Sequence, residues 1–270
     1  DCTILVRIAG PPGALQSEGY RYGCAVDQAA WLAREVVTAG YKLGLCFHLG
    51  SQVMDPEMDD EAFLLVREVM YRARFMLDMV CVGGGFPAIY DGVWPPKREE
   101  YFKVISKGLK RLHLPRTCRV VATPGRALVA DAVSILTKVE HRRGQMLYLN
   151  DGLMGGLSSI NISWWRPPLR HIRLDQKVSR HIGEFLFSGP ACYGNDTMPG
   201  PYYLPEDTDA GDFLELGQMG AYGGSMTTAF HCNPWPEMLT VGDDPPLPAL
   251  EGQEADYQGE HLDVDEDQEE

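Results

Sequence analysis

An alternation running from residue 3 to residue 126 constrains this chain more than any other feature. Four short apolar runs, TILVRIA (3–9), LGLCFHLG (43–50), LDMVCVGGG (77–85) and CRVVATPG (118–125), are separated by amphipathic segments of helical period at about 26–39, 57–74 and 97–112. The first segment places Val26, Ala29, Ala30, Ala33, Val36 and Val37 on one face, the apolar stripe of a helix lying on a sheet. Strands that recur only after a helix cannot be joined by hairpins. The order β-α-β-α-β-α-β therefore predicts a parallel sheet, part of an α/β barrel or an open α/β fold.

Each run closes in small or polar residues: Gly10; His48, Gly50 and Ser51; Gly83, Gly84 and Gly85; Thr123, Pro124, Gly125 and Arg126. Ligands of such folds gather at the carboxyl ends of the strands, so these four ends are expected to share one face. After residue 130 the pattern changes to short strand-like runs, AVSILTKVE, GQMLYLNDG, LRHIRL, EFLFSG and DFLELGQMGAY, separated by Gly, Pro and Asn/Asp turns without a convincing helix. The expected organisation is a barrel portion over 1–130, a mainly antiparallel β domain over 131–242 and an acidic tail over 243–270.

The tail carries most of the charge. The formal net charge is -14 over 270 residues, but the last twenty hold ten Asp/Glu and no Lys/Arg, which leaves the rest near -4. Such a segment repels itself and has little to bury, so disorder is expected, with docking to a basic partner as the alternative. No basic stripe exists to neutralise phosphates of a nucleic acid. Seven cysteines, without a CxxC and mostly within apolar runs, read as reduced thiols of a cytosolic protein rather than a disulfide frame or zinc site. No apolar run reaches the length of about eighteen residues that a membrane span needs. The chain opens in mid-strand with no signal segment, which suggests that an N-terminal part precedes it.

A Gly-Gly-Gly turn has no Cβ to keep ligands away and can aim several backbone N–H groups at one anion; an arginine adds charge-assisted bonds. Separately, 83–85 also suit a tight turn, Arg126 a surface position, His48 a core histidine and Ser51 a local cap. Jointly, at strand ends, they suit a cofactor with a flat ring and a phosphate, on whose ring an imidazole can stack.

The stretches FHLGS (47–51), VGGGFP (82–87), TPGRALVA (123–130), YLNDG (148–152), GPACYGND (189–196) and GQMGAY (217–222) resemble, in order and spacing, motifs of the fold-type III pyridoxal-phosphate decarboxylases, and most of all the ornithine/lysine decarboxylases. The resemblance runs from residue 1 to about 233. It implies a (β/α)8 TIM barrel followed by a β domain, pyridoxal 5'-phosphate as cofactor, an amino-acid substrate, a role in polyamine biosynthesis, and a head-to-tail homodimer, or a heterodimer with a related chain, in the cytoplasm. By the same resemblance His48 stacks on the cofactor ring, and Ser51, Gly85, Arg126 and Tyr222 hold its phosphate. Gly83, Gly84, Thr123 and Gly125 complete the cofactor motifs. Cys192 is the catalytic residue reaching into the partner's site, with Tyr193 and Asp196 beside the substrate.

Four departures fall where the chemistry lies. The family's Glu-Pro-Gly-Arg, whose glutamate keeps the pyridine nitrogen protonated, has Thr123 at its first position, and a hydroxyl cannot stabilise a pyridinium as a carboxylate does. Tyr193 stands where an acidic residue follows the motif cysteine. Met154 replaces a tyrosine, and 153–163 contain no Asp or Glu. The cofactor-binding lysine belongs to an earlier barrel strand; the lysines present, 42, 97, 103, 107, 110, 138 and 177, do not end strands on the ligand face. The expectation is a decarboxylase fragment with an altered or impaired substrate site; the alternative is a non-catalytic regulatory or decoy subunit.

Overall fold

The computed structural model describes residues 2–10, 21–161, 165–174, 176–232 and 234–242, with the side chains of 161, 199 and 232 left aside. The acidic tail, and Ser163 and Trp164, lie outside the described residues. The chain divides into two compact units, Asp1–Ala88 with Pro95–Leu128, and Ile89–Trp94 with Val129–Glu270.

The first unit is a four-stranded sheet in sequential order: β1 (Thr3–Arg7), β2 (Lys42–Cys46), β3 (Met79–Cys81) and β4 (Arg119–Val121), every neighbouring pair parallel. Its crossovers are α1 (Val26–Thr38), α2 (Glu57–Ala73) and α3 (Arg98–Arg111). This is half of an eight-stranded α/β barrel. One face of the sheet, with Val6, Ile8, Leu43, Leu45, Phe47, Val80 and Val82, packs on Ala29, Ala30 and Ala33 of α1, Phe63, Val66 and Val69 of α2, and Tyr101 and Ile105 of α3. The small residues of α1 explain how closely it can lie on the strands.

Local chemistry sets the helix limits. At the start of α2 the Glu57 N–H donates to Asp55 Oδ1 at 2.9 Å, and Glu57, Asp59 and Asp60 occupy the first turn, where the helix dipole favours negative charge. The helix closes on Arg74, left-handed at φ 62°. In α3 a Cβ at Gly108 would lie 2.1 Å from the Phe63 ring, so only glycine lets the two helices meet there. No helix among the described residues is long and apolar enough to cross a membrane.

The second unit holds six strands in the order β7-β10-β5-β6-β8-β9: β5 (Ile135–Arg143), β6 (Met146–Leu149), β7 (Leu169–Ile172), β8 (Ile182–Ser188), β9 (Thr197–Pro205) and β10 (Phe213–Leu216). All pairings are antiparallel except β6 with β8. β5 and β6 form a hairpin through Gly144 and Gln145, with Gly144 at φ 62°, as the primed two-residue turns require. Val139, Leu147, Leu149, Phe185, Phe187, Leu214 and Leu216 form the buried side, where Phe187 stacks on Tyr202 at 3.9 Å.

Two features of this unit depart from expectation. Strand β9, TMPGPYYLP, carries three prolines and a glycine, which read as loop; it is tolerated because it lies at the sheet edge, where proline's missing donor costs no ladder bond. Two short helices also occur where none was expected, α4 (Arg126–Val129), which spans the boundary of the units, and α5 (Ser158–Asn161). The segment Ile89–Trp94, early in sequence, belongs to this unit: the backbones of Asp91 and Arg166 form an isolated antiparallel β-bridge, and Tyr90 stacks on Trp165 at 4.3 Å.

Candidate functional site

Strands β2, β3 and β4 run level, with Cys46 opposite Cys81 and Cys81 opposite Val121. Their continuations therefore emerge at one height, and His48, Gly83 and Thr123 come together. The Thr123 N–H donates to the Gly83 carbonyl at 2.7 Å, the Gly84 N–H to His48 Nδ1 at 3.0 Å and the Val53 N–H to the Gly85 carbonyl at 3.0 Å. Because Nδ1 accepts a bond, the neutral imidazole carries its proton on Nε2, and its ring plane is set by the glycine turn.

Packing explains all three glycines. A Cβ would lie 2.2 Å from the Phe47 carbonyl oxygen at Gly83, 2.3 Å from that of Thr123 at Gly84 and 2.2 Å from that of Gly50 at Gly85; Gly83 and Gly85 are also left-handed, at φ 73° and 87°. The turn is thus a close-packed joint between neighbouring strand ends. Gly125 differs, with no atom within 4 Å of its Cβ position. It leaves open space beside Arg126.

Arg126 is buried, and its Nε donates to Ser51 Oγ at 3.1 Å, across 75 residues of sequence. A guanidinium and a hydroxyl beside a glycine turn form a set of donors, suited to an anion such as a phosphate. Thr123 is exposed.

The remaining candidates belong to the second unit. Tyr222 is about half exposed and left-handed at φ 68°. Cys192 is exposed and unpaired. Tyr193 is exposed, its hydroxyl accepts a bond from Asn195 Nδ2 at 3.0 Å, and its ring meets Phe230 edge-on at 6.4 Å. Asp196 is only 1% exposed: Oδ1 accepts the Leu153 N–H at 2.7 Å and Oδ2 the Ala191 N–H at 2.9 Å. A Cβ at Gly152 or Gly189 would strike this carboxylate at 2.5 or 2.2 Å, so the glycines of NDG and SGP make room for it. A cavity of about 200 Å³ lies next to it, lined by Asn150, Met154, Pro190, Phe230 and His231 among others.

Sequence reasoning missed two polar residues of the first unit, Arg7, partly buried, and Gln52. Arg7, at the end of β1, lies with its guanidinium 5.3 Å from the Tyr22 ring centre, and its Nε has no partner among the described residues. Gln52, directly after Ser51, is fully buried in a left-handed conformation at φ 60°. A polar side chain between a strand-end serine and an apolar Val53 was the available signal.

A half-barrel with donors at its carboxyl strand ends, in a chain that also forms a β-rich unit, defines the class: an α/β-barrel protein. The family described as pyridoxal-dependent decarboxylase, pyridoxal binding domain, matches residues 5–130. A lysine/ornithine decarboxylase of Selenomonas ruminantium is 30% identical over 237 residues, 84% of this chain and 58% of the relative. A diaminopimelate decarboxylase of Helicobacter pylori is 28% identical, over 70% of this chain and 46% of the relative. A lysine/ornithine decarboxylase of Vibrio vulnificus solved with cadaverine superposes at a TM-score of 0.74 with 28% identity, covering 90% of this chain and 65% of that one. The chain belongs to the fold-type III pyridoxal-phosphate-dependent decarboxylase family. It spans less than two thirds of the length of these relatives.

Proposed function

We propose that this chain is the later part of a pyridoxal-phosphate-dependent amino-acid decarboxylase of the ornithine/lysine type, working as a dimer in polyamine biosynthesis in the cytoplasm. The observation that carries this reading is the Arg126–Ser51 pair at level strand ends beside the glycine turn. A mutant of SrLDC, a relative of 29% identity, has been solved in complex with pyridoxal phosphate and superposes at a TM-score of 0.71, over 84% of this chain and 60% of that one, which supports the same cofactor here.

The residues present fit that group. Arg126 and Ser51 would hold the phosphate, with Gly125 leaving space beside them, and Tyr222 is the further candidate from the second unit. The bound cofactor would supply an electron sink for the carbanion left when carbon dioxide departs. His48, its ring oriented by the Gly84 N–H, offers a flat face to a ring and keeps Nε2 as a donor. Cys192, exposed and unpaired, is the candidate to deliver a proton, and Tyr193 and Asp196 are its proposed substrate-side neighbours. Since both Asp196 oxygens are engaged by backbone donors, its part is to shape the 189–196 loop.

Arg126→Ala tests the reading: affinity for pyridoxal phosphate, followed by cofactor absorbance, should fall on the order of a hundredfold, and an unchanged titration would overturn the site. A second reading, a non-catalytic regulatory or decoy subunit that keeps the fold, is favoured by Thr123 in place of glutamate and Tyr193 in place of an acid. Carbon dioxide release from ornithine and lysine by the complete protein separates the two. Family-like turnover defeats the regulatory reading. A silent protein that regains part of the activity as Thr123→Glu with Tyr193→Asp is a lapsed enzyme.

A further inference from the structure

We infer that Gln52 is the positioning residue of the anion site, acting through the loop that carries Ser51 rather than by touching the ligand. This rests on the phosphate reading of Ser51 and Arg126. The Gln52 amide engages one distant residue on both sides: Nε2 donates to the Ala88 carbonyl at 2.5 Å, and Oε1 accepts the Ala88 N–H at 3.0 Å. The side chain thus imitates a strand partner and fastens the loop after β2 to the loop after β3 in fixed register. Two further bonds meet at the next residue, where the Val53 N–H reaches the Gly85 carbonyl at 3.0 Å and the Tyr101 hydroxyl reaches the Val53 carbonyl at 2.7 Å. Ser51 and Gly85 therefore belong to two loops that Gln52 and Val53 hold together.

The backbone supports the same conclusion. Gln52 is left-handed and fully buried, a conformation a non-glycine residue holds only where its surroundings enforce it. The strained turn sends the amide inward while its neighbour Ser51 faces the Arg126 guanidinium. In the second unit Gln218, left-handed at φ 56° and 2% exposed, donates from Nε2 to the Ile89 carbonyl at 2.7 Å. Consecutive residues Ala88 and Ile89 are thus each held by a buried left-handed glutamine. Gln52 directly follows FHLGS, with its phosphate candidate Ser51, whereas Gln218 stands inside GQMGAY, with Tyr222. Only Gln52 makes the two-sided bond.

The experiment measures binding of pyridoxal 5'-phosphate and of phosphate-free pyridoxal to the chain by calorimetry, for the wild type, Gln52→Gly, Gln52→Glu and Arg126→Ala. Gln52→Gly suits the left-handed backbone and removes the whole side chain with its amide; Gln52→Glu keeps the shape but opposes a carboxylate to the Ala88 carbonyl. Both should weaken pyridoxal phosphate about tenfold and leave pyridoxal unchanged, a split that general loosening would not produce. The Gln52→Glu defect relative to wild type should shrink as pH falls, because the protonated acid again donates to the Ala88 carbonyl and accepts its N–H. Full affinity for pyridoxal phosphate in both Gln52 variants, or equal loss of both ligands, overturns the inference. If Arg126→Ala also leaves pyridoxal phosphate affinity intact, the phosphate reading itself fails.

Discussion

The two units use buried polar groups differently. In the parallel unit the strand ends present donors outward, with Arg126 on Ser51 and the glycine turn aiming His48, over a core of apolar strands and helices. In the six-stranded unit the carboxylates are engaged from within, by backbone N–H groups or by neighbouring cationic side chains. Asp196 holds Leu153 and Ala191, and Asp151 accepts the Gly152 N–H at 2.7 Å and the Gly156 N–H at 3.0 Å. Asp212 takes Arg173 Nε at 2.7 Å, His171 Nε2 at 2.9 Å and the Asp209 N–H at 3.0 Å. A motif acid is therefore not a ligand group by virtue of its motif; GPACYGND ends in an aspartate that organises loops.

The largest effect expected from this contrast is at Asp196. Asp196→Ala leaves one buried and one part-buried N–H group without an acceptor and opens the space that Gly152 and Gly189 reserve, and should cost about 4 kcal/mol in denaturant unfolding. Loss below about 1 kcal/mol, with protected Leu153 and Ala191 amides in hydrogen exchange, would show that the carboxylate is not structural and would return it to the candidate ligands.

Acid titration sharpens the contrast, because one buried aspartate in each unit is shifted in the opposite direction. Asp59 in α2 is pushed up to about 7 by burial; the helix N-terminus favours its carboxylate by at most about 1 kcal/mol, too little to offset desolvation. Folded protein then keeps a proton that unfolded chain releases near pH 4, so its stabilising contribution is whole below pH 4 and lost as pH rises towards 7. Asp59→Asn should gain on the wild type by about 3 kcal/mol over that interval. A difference in melting temperature that stays flat with pH would disprove it.

Burial also raises Asp212, but the Arg173 guanidinium, the Asp209 N–H and His171 outweigh it and bring the carboxyl down to about 2. Its contribution is present above pH 4 and lost as pH falls to 2, about 2 kcal/mol. Acid unfolding of the wild type should show this loss and that of Asp212→Asn should not.

The smallest effect concerns residues 243–270, which contain many carboxylates and few apolar groups. Their removal should leave the melting of both units within about 1 °C. A larger drop would mean that a charged segment contributes to one of the cores, against the division drawn above.

Much of the first unit was legible because its signals are local. Helical periodicity at 26–39, 57–74 and 97–112 and four apolar runs are properties of neighbours in sequence, and α1, α2 and α3 end within a residue or so of those limits. The strands were read too long, since β3 and β4 pair over three residues each before the polar ends begin. In the second unit β9 was hidden by its prolines, because its edge position, which makes them harmless, is decided only by the finished sheet.

The sequence by itself determined the parallel repeat, the polar strand ends and the motifs that mark the family, since each is written in consecutive residues and follows from side-chain period and turn chemistry. Only the tertiary structure decided that Arg126 meets Ser51, that Gln52 grips Ala88, and that Asp196 holds backbone amides. Those outcomes depend on register between strands and on burial, which couple residues up to 75 positions apart. No local pattern encodes which polar group will face another once both are removed from water.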